Sequence, residues 1–251
     1  MKPRELADNS IRWNILSVAL LALRLALLLT LVALGVFGYR AWRKVSTAPV
    51  ASATSQVSGD AATREMSVAS TPVVDERKWV GVIAGHWQSD SGAVCPDGLQ
   101  EVDINLDIAR RVVDELQRQG YRAELLPEFS DKLTGYVADA LISIHTDSCL
   151  KGRSGFKVAR AVYSAVPEEE DRLVECLYRE YEKSTRLKRD EKTITENMLQ
   201  YHAFGKIAAK TPGAIIEIGF MSGDRKLLTG SQSRVARGIV AGLVCFLQGG
   251  T

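Results

Sequence analysis

The sequence predicts an α/β domain built on a mainly parallel, twisted sheet flanked by helices, preceded by a transmembrane helix and a flexible linker. Three observations carry this. Short apolar runs stopped by Gly or Pro alternate with longer segments whose apolar residues recur at helical spacing, the pattern of strand–helix–strand units. Ahead of them, residues 15–37 are almost wholly apolar, long enough to span a hydrocarbon core of ~30 Å. Between the two, residues 46–75 are rich in Ser, Ala, Thr and Val and show no sustained periodicity. The expected boundaries are 1–45 for a cytoplasmic stub and anchor, 46–76 for the linker and 77–251 for the folded domain.

Arg24 interrupts the apolar span. A central arginine costs about 2.5–3.5 kcal/mol on an insertion scale, and the surrounding Leu, Ile, Val and Phe, at roughly −0.3 to −0.6 kcal/mol each, outweigh it. Ala33-Leu34-Gly35 offers a weak cleavage site of the kind a secretory signal carries. The length of the span and the aromatic and basic stop Tyr39-Arg40-Ala41-Trp42-Arg43-Lys44 favour an uncleaved anchor. Lys2, Arg4 and Arg12 on one flank balance the basic residues on the other, so charge does not orient it. The linker lacks the apolar faces needed for a core.

Within the folded domain, residues 79–84 are a buried strand stopped by Gly85. A loop with Gly92, Pro96 and Gly98 leads to a helix whose apolar face is Ile104, Ile108, Val112, Val113 and Leu116, ended by Gly120 at the C′ position. Strands follow at 122–126, halted by Pro127, at 139–144 and at 156–163. Residues 171–189 and 195–209 have amphipathic helical spacing, 214–218 is a further buried strand, and 233–247 is a closing helix.

In open α/β sheets ligands gather beyond the carboxyl ends of the strands. His86, Glu101, His145 and Glu217 stand at or near such positions, and the chain holds three histidines in all. Two imidazoles and a carboxylate suit Zn²⁺ with one position left open for water. His86, Glu101 and His145 are therefore the candidate metal ligands, and Glu217 the candidate general base and acid of a hydrolysis. Taken singly, each has a plainer reading. A histidine ending a strand is often only hydrogen-bonded, and Glu101 suits a helix N-terminus. Glu217 within Ile215-Ile216-Glu217-Ile218-Gly219-Phe220 is harder to explain away, because a carboxylate in an apolar strand is expensive unless paired or used. His202, beside Tyr201 and Phe204 on the expected helix, reads as a structural or surface residue.

Four fragments come in order: Ala84-Gly85-His86, Gly98-Leu99-Gln100-Glu101-Val102-Asp103-Ile104-Asn105-Leu106, Ser143-Ile144-His145, and Ile216-Glu217-Ile218-Gly219-Phe220-Met221-Ser222. On these the domain resembles the catalytic domain of zinc-dependent N-acetylmuramoyl-L-alanine amidases, bacterial peptidoglycan hydrolases. The resemblance implies zinc on His86, Glu101 and His145 with Glu217 catalytic. It also implies peptidoglycan as partner and cleavage of the amide between the muramic acid lactyl group and L-alanine of the stem peptide; together with the apolar anchor, the expectation is a membrane-tethered domain facing out of the cytoplasm. Departures from the family pattern are Trp87-Gln88 where glycines are usual, Thr146-Asp147 where Ala-Asn is usual, and Leu133-Thr134-Gly135-Tyr136-Val137 where an arginine and an Ala-Asn pair often stand. Trp87 could stack on a sugar or stem peptide, or serve packing.

A net charge of +2 carries no polyanion-binding signature, so nucleic acid is not an expected partner. The four cysteines lack a Cys-x-x-Cys pair, against a zinc knuckle. Cys95 and Cys149, in loops after two site-bearing strands, could be bridged in an oxidising compartment. Cys176 and Cys245 fall on apolar helix faces and read as small buried hydrophobes. Two other functions stay open: a non-catalytic wall-binding or regulatory module on the same fold, and a zinc peptidase acting on another extracytoplasmic amide.

Overall fold

The computed structural model describes residues 76–250. The expected anchor, and the linker up to residue 75, lie outside them; among the described residues no helix is long and apolar enough to cross a membrane. Five strands form one sheet: β1 (Trp79–Ala84), β2 (Arg122–Pro127), β3 (Ala140–Asp147), β4 (Lys157–Ala159) and β5 (Gly213–Phe220). Their order is β2-β1-β3-β5-β4. The three pairings β1–β2, β1–β3 and β3–β5 are parallel, and the short edge strand β4 runs antiparallel to β5. The helices are α1 (Glu101–Arg118), α2 (Pro167–Thr185), the single turn α3 (Glu196–Leu199), α4 (Arg225–Gly230) and α5 (Gln232–Leu247).

The pleat sends alternate residues to opposite faces. Val80, Val82, Ala84, Ile142, Ile144, Ala214, Ile216 and Ile218 belong to one core cluster with the apolar faces of α1, α2 and α5. Ile83, Leu141 and Ile215 point the other way, into a smaller cluster with Leu126, Tyr136, Met198 and Tyr201. α1 carries Glu101 and Asp103 in its first turn, where the helix dipole favours carboxylates. It is closed by Gly120 in the left-handed region, φ +88°.

Several elements differ from expectation. β3 runs on through His145 to Asp147, so that histidine lies inside the strand, just before a register shift. The fourth strand keeps only Lys157–Ala159; beyond it, Arg160 pairs with Asp171 and the Val162 amide bonds to the Leu199 carbonyl, which draws the chain off the sheet. The helix expected from 171 starts at Pro167, a residue suited to the first helical position. It stops at Arg186, whose φ is +63°. The helix expected over 195–209 is one turn long. Tyr201 and His202 both reach the same Glu128 oxygen, which consecutive helical positions do not do, because they diverge around the helix axis. Tertiary bonding wins over the local pattern there.

All four cysteines are paired. Cys95–Cys149 joins the loop before α1 to the segment after β3. Cys176–Cys245 joins α2 to α5, which corrects the reading of these two as separate buried hydrophobes. Each does lie on an apolar helix face, but the helices pack against one another and bring the faces within bonding reach, with Cα atoms 5.8 Å apart.

Candidate metal centre and active site

β1 ends at Ala84, and the chain turns at Gly85 and His86. A Cβ on Gly85 would lie 2.5 Å from the His145 imidazole, so only glycine lets the ring fit. His86 itself has φ +66°, a conformation that costs a non-glycine residue roughly 1–3 kcal/mol. Its backbone N–H donates to Glu128 Oε2 at 3.0 Å, and its Nδ1 lies 2.6 Å from Asp90 Oδ1. A proton held between Nδ1 and Asp90 leaves the Nε2 lone pair free to bind a cation. That nitrogen is 3.3 Å from Glu101 Oε1.

Glu101 is on the first turn of α1 rather than at a strand end. Its Oε1 also lies 3.2 Å from His145 Nδ1 and accepts from Asn105 Nδ2 and the Thr146 amide. Its Oε2 accepts from the Ala93 amide. Burial opposes ionisation of this carboxyl, yet the hydrogen bonds from His145, His86 and Ala93 hold it well below the usual carboxylate range. Gly92, with φ +60°, leaves no room for a side chain against Glu101 and His86.

His145 is buried, with a ring 5.0 Å from that of His86 in an edge-on arrangement. Burial works against its protonation, but the carboxylates of Glu101, Glu128 and Glu217 around it raise its pKa to about 10. Glu217 stands on β5 directly beside His145 in the parallel register, and across from Lys157 in the antiparallel one. Glu217 Oε2 is buried without a hydrogen-bond partner among the described residues. Burial pushes its pKa up to about 7, opposed by His145 and Lys157 and reinforced by Glu101 and Asp147.

These residues fit a divalent cation. One ligand atom from each of His86, Glu101 and His145 lies within 4.8 Å of the others. Two nitrogens and one carboxylate oxygen are the donor set of an open zinc site. The protein groups alone leave this cluster unbalanced, with two histidine rings directed at one carboxylate oxygen. Trp87, the expected substrate contact, is half-buried and packs against the helix-side core.

Three further residues complete the site and were not singled out from the sequence. Glu128, just after β2, is buried and touches both histidine-bearing segments. Asp90 anchors the His86 ring, and Lys157 is buried in an ion pair with Asp147 at 2.5 Å. His202 is structural, as expected, but it belongs to this neighbourhood. Its Nε2 lies 2.8 Å from Glu128 Oε1, and its ring stacks 4.4 Å from that of the exposed Phe129. Pro127-Glu128 looked only like the end of a strand; no local pattern marks a residue whose partners lie more than seventy positions on.

An open parallel sheet with a His₂–carboxylate cluster and a buried glutamate at its carboxyl edge defines a candidate metal-site α/β enzyme. The comparison of sequences is more specific: residues 80–245 match the family described as N-acetylmuramoyl-L-alanine amidase, and the chain belongs to that family. The fold is similar to that of an N-acetylmuramoyl-L-alanine amidase from Clostridium difficile 630 (TM-score 0.57, 21% identity, covering 69% of this chain and 98% of that one). It is also similar to the amidase AmiC2 of Nostoc punctiforme (TM-score 0.54, 26% identity, 68% and 97%). The uncharacterised protein YqiI of Bacillus subtilis (strain 168) is 37% identical over 89 residues, 32% of this chain; the match spans only 43% of that relative's length.

Proposed function

We propose that this protein is a zinc-dependent N-acetylmuramoyl-L-alanine amidase that hydrolyses the amide between the lactyl group of N-acetylmuramic acid and L-alanine of the peptidoglycan stem peptide. The observation that carries the reading is the convergence of His86, Glu101 and His145 within 4.8 Å, with Glu217 in register beside His145. Family membership supplies the substrate class. His86, Glu101 and His145 hold the cation, and when bound it supplies Lewis-acid stabilisation at the carbonyl under attack and acidifies water. Glu217 takes a proton from the attacking water and delivers it to the departing amine nitrogen of L-alanine. Burial raises the pKa of this carboxyl in the metal-free protein and a bound cation lowers it again, opposing influences that suit a group which must both take and give a proton. Trp87, one residue beyond His86, offers its exposed part as a stacking surface for glycan or stem peptide.

The proposal places the domain outside the cytoplasm on a single membrane anchor at residues 15–37. The two disulfides support an oxidising compartment. Metal analysis of the purified protein together with mass spectrometry of digested sacculi tests the activity. Free stem peptides with a new L-alanine amino terminus are expected, lost on chelation and restored by Zn²⁺. Sacculi left intact by zinc-loaded protein would overturn the reading. Protease accessibility of the domain in spheroplasts tests its placement, and protection in intact spheroplasts would sink that part.

A further inference from the structure

We infer that Glu128 is the positioning residue of the metal centre: it fixes which nitrogen of His145 faces the cation and clamps the turn that carries His86. The inference rests on the zinc reading above and adds a residue to it. Glu128 lies one position past β2, and its own amide donates to the Trp87 carbonyl. Oε2 accepts the His86 backbone N–H at 3.0 Å and lies 3.5 Å from His145 Nε2. That nitrogen is buried and without a hydrogen-bond partner among the described residues, so the Glu128 carboxylate is an ion-pair contact behind the ring rather than a hydrogen bond already made. Oε1 accepts from the Tyr201 hydroxyl at 2.9 Å and lies 2.8 Å from His202 Nε2.

The two nitrogens of His145 therefore face two different carboxylates. Nδ1 is 3.2 Å from Glu101 Oε1, on the side where the candidate ligand atoms gather. Nε2 is turned to Glu128. A neutral imidazole carries one proton, and the carboxylate behind the ring draws it to Nε2, which leaves the Nδ1 lone pair for the cation. The same carboxylate oxygen ties down the amide of His86, a residue in a left-handed conformation that has to be held by its surroundings. Tyr201, itself bonded to Ser143 Oγ, and His202 keep Glu128 from turning away.

Zinc affinity, measured by competition with a chromophoric chelator on the whole protein, tests this. Glu128→Gln should weaken Zn²⁺ binding of the folded protein about 10–100-fold, and Glu128→Asp should recover part of the loss. Tyr201→Phe, which leaves the carboxylate charge in place but removes one of its two anchors, should cost less affinity than Glu128→Gln. Long-range ¹H–¹⁵N spectra of the zinc-loaded wild type should place the His145 proton on Nε2, a readout that stands even if Glu128→Gln does not fold. Wild-type zinc uptake with undiminished affinity in Glu128→Gln, or a His145 proton on Nδ1, overturns the positioning role alone. A wild type that takes no zinc overturns both this role and the proposed function.

Discussion

The two faces of the sheet are built from the same strands and do different work. On β3, Ile142 and Ile144 face three helices, while Ser143 meets Tyr201 in irregular chain and His145 meets Glu101 at the start of α1. On β5, Ala214, Ile216 and Ile218 go to the helices and Glu217 goes to the site. The helix face is continuous and apolar. The other face mixes a small apolar cluster with buried carboxylates, imidazoles and hydroxyls, some of whose polar atoms have no hydrogen-bond partner among the described residues. Stability and chemistry are thus separated by the pleat, one residue apart, and substitutions should separate in the same way.

The sharpest break is at Glu217. Glu217→Gln removes the proton carrier and should lower turnover by about 10²–10⁴-fold while zinc content stays at wild-type level. A variant that digests sacculi at the wild-type rate would take Glu217 out of the mechanism. Three register positions away on the neighbouring strand, and on the opposite face, Ile142→Ala should do the reverse. Loss of a fully buried isoleucine costs about 2–5 kcal/mol, read by denaturant unfolding, whereas zinc affinity of the folded fraction should not move. If affinity falls with stability, the faces are coupled and the separation is wrong.

The difference between the faces also explains what was legible in the sequence. The apolar runs of β1, β3 and β5 and the Ile104, Ile108, Val112, Leu116 stripe of α1 follow simple periods, so the helix-covered side was readable element by element. His86, Glu101, His145 and Glu217 could be picked out as candidates because a parallel sheet brings its strand ends to one edge. What could not be read depends on contacts distant in sequence. Glu128 acquires its role through His86 and His145, and is held in place by Tyr201 and His202, 73 and 74 positions further on. The same contacts hold residues 200–209 out of the helix their spacing suggested. The Cys176–Cys245 bridge is likewise a property of how α2 meets α5, across 69 positions.

The two disulfides offer a finer cut. They close segments of similar length, 54 and 69 positions, so the chain-entropy account gives each a similar effect on stability, about 4 kcal/mol. Their surroundings differ. Cys95–Cys149 joins the loop that presents Glu101 to the segment that follows His145, whereas Cys176–Cys245 ties two helices on the far face. Replacing both cysteines of a pair by alanine should lower the melting temperature in either case. Only the Cys95/Cys149 variant should also bind zinc more weakly. Equal affinities in the two variants would show that the site loops hold their positions without the bridge.

The smallest effect is a slope with pH. The pKa of Glu217 is raised in the folded protein from 4.5 to about 7, mainly by burial. Between those values the native metal-free state holds a proton that the unfolded chain has released, so stability must fall as pH rises through this window. The upper bound from this group is about 3 kcal/mol, complete above pH 7. His145, raised to about 10, contributes in the same direction but over a higher range, present below 6.5 and lost as pH climbs through 10. Glu101 and Glu128 act oppositely: their depressed pKa values give stability that is present above the ordinary carboxylate range and lost in acid. Subtracting Glu217→Gln from wild type isolates the first of these to a good approximation. The two metal-free proteins should be close in stability near pH 4.5, and the variant should be the more stable by pH 8. Zinc beside Glu217 favours its ionised form and should flatten the difference. A curve that is level from pH 4.5 to 8 without metal would mean that the Glu217 carboxylate is not penalised by its surroundings, and the site face would then lose the strained acid that sets it apart from the helix face.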